Sequence, residues 1–333
     1  LLSPGAFLPA IEDHPIAVDL GEWVIETALA QMESWQAAGL RIAVSVNVGA
    51  RQLQQVTFVD RLRALLAAHP SLQPSCLEIE VLETSALQDI SQVSQAIVAC
   101  RRTGVSVALD DFGTGYSSLA YLKRLPANVL KIDQSFIRDM LDDSDNLAIL
   151  EGVLGLALAF RRQVIAEGVE TVDQGLMLLQ LGCELAQGFC IARPMPAEDL
   201  PQWIAGWHPE PLWASMSAVG AAEWPILHAG VELRAWIASV ESFLKEELNA
   251  WPAMNEHQCR FGAWLDAEQS GPRAVLPTLQ IIARLHQRLY ELATEAAGLK
   301  AQGKMADAIA FLNQLRALRD QILEQLTALT KRT

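Results

Sequence analysis

The feature that most constrains the fold is a regular alternation, between residues 41 and 193, of short β-branched runs with longer segments of helical period. The runs cover residues 42–46, 77–81, 105–109, 129–132 and 164–166. Strand followed by helix, repeated in this way, predicts βα units and hence a parallel sheet with helices on its faces. Such a sheet either closes as a barrel or stays open as a doubly wound fold. We expect an α/β barrel, although the periodicity by itself allows both.

The pattern changes after residue 201, where strand signals end. Residues 203–224 are rich in Trp, Pro, Ala and Gly, which is typical of a linker or a last short helix. Beyond them, residues 231–248, 275–299 and 305–329 carry apolar residues at three- and four-residue spacing, with a shorter helical piece at 259–268. This pattern predicts an all-α, antiparallel four-helix bundle. We therefore place a first domain at 1–207, a linker at 208–223 and the bundle at 224–333.

Charge and cysteine usage exclude some classes of protein. A net charge of −14 repels a phosphate backbone, so we expect no duplex nucleic acid as a partner, and an anionic ligand needs a bridging cation. The longest apolar run, 147–160, contains Glu151 and is shorter than the ~20 residues of a membrane-spanning helix. Five scattered cysteines argue against a disulfide framework, so we expect a reducing, cytoplasmic location. The opening Leu-Leu-Ser-Pro-Gly does not resemble a signal peptide and indicates a start within a domain.

Polar side chains lie at or near the carboxyl ends of the predicted strands. They are Asn47, Glu80, Asp110 with Asp111, Lys131 and Glu167. In a barrel of parallel strands, side chains from different strands converge at this end. An isolated acidic residue is usually a solvated or salt-bridged surface group, but five oxygen ligands and one lysine on successive strands favour one shared site.

The composition of this set predicts a metal centre. Adjacent buried carboxylates such as Asp110 and Asp111 repel each other unless a cation compensates them. Hard oxygen ligands without His or Cys favour Mg²⁺ or Mn²⁺ over zinc. Two such ions held close together are a common device for hydrolysing phosphodiesters, and they would attract an anionic ligand to an acidic protein.

Six sequence blocks resemble the EAL family of bacterial cyclic di-GMP phosphodiesterases in order and spacing. They are Ser-Val-Asn-Val (45–48), Leu-Glu-Ile-Glu-Val-Leu-Glu-Thr (77–84), Asp-Asp-Phe-Gly-Thr-Gly-Tyr-Ser-Ser-Leu (110–119), Lys-Ile-Asp-Gln-Ser-Phe (131–136), Ala-Glu-Gly-Val-Glu-Thr (166–171) and Gln-Gly-Phe (187–189). The resemblance covers residues 1 to about 207. It implies a modified TIM-type barrel and metal-dependent hydrolysis of cyclic di-GMP to linear pGpG in bacterial signalling.

The resemblance also implies a role for each site residue. Asn47, Glu80 and Asp110 match ligands of one metal, and Asp110 and Asp111 reach the second. Glu167 matches a second-metal ligand and general base, and Lys131 matches the lysine that positions the attacking water. Supporting roles fall to Gln187, Glu170 and Glu83. Glu83 would steady the loop after Asp111, which the family uses in dimer contacts, so we expect a homodimer.

Two departures from the family pattern are visible. The usual Ile-Thr-Glu reads Val81-Leu82-Glu83, a change outside the ligand set that we expect to be tolerated. In the family, a Glu-Ala-Leu-Leu-Arg segment precedes the Leu-Ser-Pro-Gly-Ala-Phe sequence that opens this chain, and it supplies a metal ligand and a phosphate contact. Without it we expect a barrel incomplete at the N-terminus, a weakly bound first metal and slow or absent hydrolysis. We expect the parent protein to be active, with a GGDEF or sensory domain upstream.

The region after the linker contains a possible second metal site. The stretch His-Gln-Cys-Arg-Phe-Gly-Ala-Trp-Leu at 257–265 places Cys259 between His228 on the preceding predicted helix and His286 on the following one. Imidazole and thiolate ligands on facing helices suit zinc. Taken alone, these residues are better explained by a buried cysteine and ordinary surface histidines than by a metal site.

Residues 224–333 resemble the chemoreceptor zinc-binding (CZB) domain, a four-helix bundle that holds zinc with one Cys and three His. His228, Cys259 and His286 fall on three of its ligand positions. The fourth position is Tyr290, and a phenol, with a pKa near ~10, is a poor zinc ligand. Water or His257 would then complete the site, and oxidation of Cys259 would release the metal.

The sequence therefore supports three functional hypotheses. The first is a cyclic di-GMP phosphodiesterase regulated by a zinc- or redox-responsive bundle. The second is a non-hydrolysing receptor that binds cyclic di-GMP and signals through partner contacts. The third is a scaffold in which the bundle only dimerises. The full set of ligand-type residues favours the first, because a receptor has no physical need for all of them.

Overall fold

The structure, a computed structural model, describes residues 3–11, 14–114, 119–245, 247, 257 and 259–330. The chain divides into two compact units. The first comprises Leu1–Ile137, Glu151–Gly175 and Cys183–Ser215, and the second comprises Arg138–Leu150, Leu176–Gly182 and Met216–Thr333. The domain limits expected from the sequence, 1–207, 208–223 and 224–333, remain a prediction.

The first unit is built on five parallel strands whose spatial order follows their order in the chain. They are β1 (Val44–Asn47), β2 (Leu77–Leu82), β3 (Ser106–Phe112), β4 (Val129–Ile132) and β5 (Gln163–Ala166). Each β-branched run therefore forms a strand, as predicted. The order of these strands does not reverse, unlike that of a doubly wound sheet, and a parallel bridge from Ala166 to Ala186 continues it past β5. This topology is that of the expected barrel type.

Helices connect the strands, as the alternating pattern predicts. Up to residue 214 they are α1 (Pro4–Ile11), α2 (Ile16–Ala37), α3 (Ala50–Leu53), α4 (Phe58–Ala68), α5 (Glu83–Gln88), α6 (Ile90–Arg102), α7 (Leu119–Arg124), α8 (Gln134–Asp139), α9 (Ser144–Ala159), α10 (Val172–Gln180), α11 (Leu200–Gly206) and α12 (Pro211–Ala214). A 3₁₀ turn, Pro74–Cys76, leads into β2.

The central strands, β2 to β4, are mostly apolar because both faces of the sheet are covered there. Leu77, Ile79 and Val81 of β2 are fully inaccessible, and all four residues of β4 are buried. Against this background, Glu80, Asp110 and Lys131 are charged residues buried in the same sheet. Burying a charge without a partner is costly, so these three must compensate one another or bind ions.

The second unit contains the predicted helical bundle, made of α13 (Trp224–Leu244), α14 (Arg260–Gln269), α15 (Pro277–Ala301), α16 (Met305–Ala310) and α17 (Leu312–Thr330). The sequence pattern predicted a helix that starts at residue 231, but α13 begins at Trp224, because Pro225 is well suited to a first helical turn. The predicted helix at 305–329 is two helices divided at Phe311. Buried side chains of all five helices form one core, among them Leu233, Ile237, Phe261, Ile282, Leu289, Ala308, Leu315 and Ile322.

Among the described residues, no helix combines the length and the apolar composition needed to cross a bilayer.

Candidate active site

The strand register places the predicted site residues on one face of the sheet. Asn47 pairs with Glu80 across β1 and β2, and Glu80 pairs with Ala108 of β3. Ala108 in turn pairs with Val129, two residues before Lys131. Because strand side chains alternate with a period of two, Asn47, Glu80, Asp110 and Lys131 share a face.

Lys131 is the centre of the site. Its Nζ lies 2.8 Å from Glu80 Oε1, 3.0 Å from Asp110 Oδ1 and 2.5 Å from Glu167 Oε1. Burial alone would lower the pKa of Lys131, but the hydrogen bonds to Glu167 and Glu80 and the charge of Asp110 raise it well above its usual range. Lys131 is therefore a permanent cation that draws side chains from three strand ends together.

One ammonium group does not neutralise this set of carboxylates. Burial, with added repulsion from Asp110 and Glu80, raises the pKa of Glu167 to about 7 against the opposing effect of Lys131. Burial also raises the pKa of Glu80. The pKa of Asp111 is raised by burial and by the neighbouring Asp110 and Asp133 carboxylates. The site therefore carries more negative charge than its own residues compensate, which is the electrostatic signature of a cation site.

Asp110 and Asp111 reach the same site although they are consecutive in a strand. Asp111 has a φ of 54°, in the left-handed region that is rare for a non-glycine residue. The register between β3 and β4 also shifts between Leu109 and Phe112. A bulge of this kind redirects a side chain from the normal alternation. As a result, carboxylate oxygens of Asp110, Asp111 and Glu167 lie within 4.8 Å of one another.

The donor set fits a hard divalent cation. Within the described part of the chain, Asp110, Asp111 and Glu167 are the sole group of three or more His, Cys, Asp or Glu residues with ligand atoms this close. Asp110 Oδ1 is buried and, apart from its ion contact with Lys131, makes no hydrogen bond. Carboxylate oxygens without nitrogen or sulfur favour Mg²⁺ or Mn²⁺.

The three supporting residues occupy different parts of this region. Glu83 is buried at the start of α5, and its Oε2 accepts a 2.8 Å hydrogen bond from the Gly113 amide in the turn after Asp111. Gln187 donates a 2.6 Å hydrogen bond from Nε2 to Glu167 Oε1. Glu170 lines, with Glu167 and Gln187, an open pocket of about 540 Å³. Asn47 is exposed at the end of β1, opposite Glu80.

In the bundle, the structure brings two of the three predicted zinc ligands together. Cys259 Sγ and His286 Nε2 are 3.7 Å apart, and both residues are buried. Burial lowers the pKa of His286 to about 4, so its imidazole is neutral, as metal binding requires. His228, on α13, does not complete a set of three ligand atoms within 4.8 Å among the described residues. The proposed replacement, His257, is held by Asp266, with Nδ1 2.9 Å from Asp266 Oδ2.

Tyr290, at the predicted fourth ligand position, belongs to an aromatic cluster beside His286. Its ring stacks on Trp236 with centroids 4.4 Å apart and meets His286 edge-on at 5.0 Å. Phe261 packs against the other side of His286 at 4.8 Å. These contacts fix the orientation of the histidine ring close to Cys259.

Comparison with known families identifies both regions. The family model described as "EAL domain" matches residues 1–194, which is more than half of the chain. The chain belongs to the EAL domain family. The model described as "Chemoreceptor zinc-binding domain" matches residues 234–297, which confirms the second resemblance.

Two similar proteins are known as cyclic di-GMP enzymes. The chain is 44% identical over 206 residues to the bifunctional diguanylate cyclase/cyclic di-GMP phosphodiesterase MucR of Pseudomonas aeruginosa, covering 62% of this chain and 30% of that protein. It is 35% identical over 203 residues to the cyclic di-GMP phosphodiesterase PA2567 of the same species, covering 61% and 34%. The chain therefore spans about a third of the length of these curated relatives.

Solved structures agree with the barrel assignment. The PaMucR phosphodiesterase in complex with c-di-GMP is 44% identical, with a TM-score of 0.57 over 60% of this chain and 81% of that one. The EAL enzyme Bd1971, in its cAMP- and cyclic-di-GMP-bound form, is 30% identical, with a TM-score of 0.58 over 61% and 56%. The expected TIM-like fold is thereby confirmed.

Two features of the EAL site were not predicted from the sequence. The first is Asp133, two residues beyond Lys131, which is hydrogen-bonded to the Asp111 carboxyl group. The pKa of Asp111 is raised mainly by burial and by Asp110, and Asp133 raises it further. The Ser135 amide and hydroxyl hold Asp133 in place. The second feature is Phe189, half-exposed in the pocket, with the Arg193 guanidinium 4.7 Å above its ring. Both residues belong to sequence blocks that resemble the EAL family, Asp133 to Lys-Ile-Asp and Phe189 to Gln-Gly-Phe.

Proposed function

We propose that this EAL domain hydrolyses cyclic di-GMP to linear pGpG with two Mg²⁺ or Mn²⁺ ions. The cluster of Asp110, Asp111 and Glu167 carries the proposal, because it is a partly buried excess of oxygen-ligand charge at the carboxyl ends of the strands. The open pocket beside Glu167 has the size of a nucleotide site and contains an aromatic ring and a cation.

We assign metal binding, proton transfer and positioning to different residues of the site. Asn47, Glu80, Asp110, Asp111 and Glu167 would hold the ions, which would neutralise the scissile phosphate and lower the pKa of water. Glu167 is positioned to accept a proton, since Lys131 and Gln187 both fix its Oε1. Glu83 holds the Gly113 amide and so keeps the turn that directs Asp111. Glu170 faces the substrate pocket.

The decisive experiment measures pGpG formation in Mn²⁺ by the full-length parent protein, which we expect to be active. We expect Glu167→Gln to lower kcat by about 100-fold or more, because the proton acceptor is lost. The matched control is Glu184→Gln. Glu184 is an exposed carboxylate two residues before Ala186, so its replacement should leave turnover unchanged.

Equal turnover by the parent and Glu167→Gln would refute the proposal. Absence of product from the parent, with cyclic di-GMP bound at equilibrium in Ca²⁺, would favour the non-hydrolysing receptor. Absence of both would leave the scaffold hypothesis.

We also propose that the bundle binds zinc through His228, Cys259 and His286. Because Tyr290 is a poor ligand, water or His257 would fill the fourth position. Loss of zinc, or oxidation of Cys259, would then alter hydrolysis by the EAL domain. The 3.7 Å approach of Cys259 to a neutral His286 supports this assignment. Zinc content of Cys259→Ala should fall well below that of the parent, whereas Cys76→Ala, which alters a cysteine of the other unit, should retain zinc. Equal and low zinc content in all three proteins would exclude a zinc sensor.

A cytoplasmic homodimer, with GGDEF or sensory domains upstream, is the assembly that we propose for the parent protein. α9 supports self-association, because Leu158, in its last turn, is a large apolar side chain exposed to 80%. A Leu158→Glu variant should shift the mass measured by light scattering from dimer towards monomer. An unchanged dimer mass would exclude this face.

A further inference from the structure

Basic residues accumulate at the end of the first unit's sheet that lies opposite to the metal site. Arg101 and Arg102 end α6, and Arg162 directly precedes β5. This end is formed by the residues before the strands, such as Asn128 before β4, whereas Asp110 lies near the carboxyl end of β3 and Glu167 follows β5. The cluster is therefore distinct from the active site.

Two of these arginines hold neighbouring carbonyl groups of one turn. Arg162 Nη2 donates to Leu122 O at 3.0 Å and to Leu125 O at 2.9 Å, and Arg101 Nη1 donates to Pro126 O at 2.7 Å. The two guanidinium groups thus lie on the same turn and repel each other. Burial and the charge of Arg101 lower the pKa of Arg162.

No carboxylate relieves this repulsion. Among the described residues, Arg101, Arg102 and Arg162 form no ion pair, and the buried Nε of Arg162 has no hydrogen-bond partner. Basic residues at a helix C-terminus interact well with the helix dipole, which explains Arg101 or Arg102 but not the partly buried Arg162 beside them. In a chain of net charge −14, these three arginines form a local positive patch, in which Arg101 and Arg102 are exposed to solvent.

An open pocket adjoins the cluster. It has a volume of about 330 Å³ and is lined by Val98, Arg101, Arg102, Val105 and Asn128. Asn128 uses its Oδ1 to accept from the Val107 amide, which directs its remaining polar group, an NH₂ donor, to other partners. The polar lining of this pocket is therefore made of donors and cations.

We infer that Arg101, Arg102 and Asn128 form a second, metal-independent anion site that binds the phosphate groups of a small phosphorylated metabolite. Guanidinium forks bind phosphate oxygens in pairs, which favours phosphate over a single carboxylate. The apolar walls, Val98 and Val105, would contact the organic part of such a ligand. The site does not depend on the proposed hydrolysis, because no ligand of the metal centre contributes to it.

The test is calorimetric titration of the intact protein with inorganic pyrophosphate in EDTA, which removes any metal-bridged binding at the active site. Arg102→Gln is the informative variant, since Arg102 makes no described hydrogen bond to the fold and its loss should not impair folding. Arg63→Gln, which removes another exposed arginine, paired with Asp60, is the matched control for net charge.

We expect pyrophosphate to bind the parent and Arg63→Gln equally, and Arg102→Gln about tenfold more weakly. Adding Arg101→Gln should weaken binding further. A second titration, with GDP, tests whether the organic part of the ligand contributes to binding. If GDP binds more tightly than pyrophosphate, the apolar walls contact a nucleoside; if the two bind equally, the site recognises the phosphates alone. Equal affinity of all variants, or no binding of either compound to the parent, would overturn the inference.

Discussion

At the scale of single residues, the buried Lys131 decides how the carboxylate site is tolerated in the absence of metal. It contacts Glu80, Asp110 and Glu167, and the first two are buried in strands. Removing one partner of a buried ionic group leaves the others uncompensated, which costs about 3–5 kcal/mol. The lysine therefore has a structural role in addition to any role in hydrolysis.

Replacing Lys131 by methionine should lower the free energy of unfolding in EDTA by about 3 kcal/mol. Saturating Mn²⁺ should recover part of this loss, because the ions replace the missing positive charge. Thermal denaturation of both states measures the effect, with Lys123→Met, an exposed lysine, as the control. If the two variants melt at the same temperature in EDTA, the three ion contacts do not contribute to stability.

Burial also predicts which cysteines react. It raises the pKa of Cys100 and of Cys183 to about 11, so their reactive thiolate is scarce near neutral pH. At pH 8 we expect iodoacetamide to alkylate both about 100-fold more slowly than the partly exposed Cys76. Peptide mass spectrometry of a time course gives the three rates, and comparable rates under native conditions would contradict the burial.

The sequence predicted the residues of the site better than their conformations. The alternation of side chains along the apolar runs was sufficient to predict that Asn47, Glu80 and Lys131 lie on the same face of the sheet, because burial of the apolar side chains fixes the register of the strands. The left-handed Asp111 could not be foreseen, since aspartate does not require that conformation. Asp133 was missed because it lies past the end of β4 and acts through Asp111.

At the scale of elements, the turn after β3 positions the aspartate pair. Gly113 has a φ of 103°, and a Cβ there would lie 2.9 Å from Phe136 Cε2. The Gly113 amide also donates to Glu83. The turn is thus fixed by one backbone conformation, one aromatic ring and one buried carboxylate.

Gly113→Ala should therefore reduce both stability and Mn²⁺ affinity. The matched control is Gly39→Ala, whose φ of 88° carries the same conformational penalty but whose Cβ meets nothing within 4 Å. We expect Gly39→Ala to lose about 1 kcal/mol of stability and Gly113→Ala to lose more, because its Cβ also meets Phe136, and only Gly113→Ala to bind Mn²⁺ more weakly in a titration. Equal Mn²⁺ affinity of the two variants would show that the turn does not position Asp111.

Element boundaries followed the sequence pattern less closely than element types. The β-branched runs became strands because only a covered sheet can bury them on both faces. Helix α13 began earlier than its apolar period, since Pro225 initiates a helix irrespective of hydrophobicity. The interruption at Phe311 carries no Gly or Pro signal, so its position depends on packing within the bundle core.

At the scale of the whole molecule, two compact units contain two different donor sets. The oxygen set of Asp110, Asp111 and Glu167 belongs to the first unit, and the thiol and imidazole of Cys259 and His286 belong to the second. Hard and soft ligands select different ions, so the two proposed sites should respond to different metals. An ion that binds only the folded state stabilises the unit that holds it.

Calorimetric melting of the metal-free intact protein should therefore show separate responses to Mn²⁺ and to zinc. At about 100 times its dissociation constant, each ion should add about 2.7 kcal/mol to its own unit, or several degrees in melting temperature. Asp111→Asn should remove the Mn²⁺ shift and keep the zinc shift, and Cys259→Ala should do the reverse, so each variant controls for the other. If either variant removes both shifts, the two ions share a site and the assignment of one metal centre to each unit is wrong.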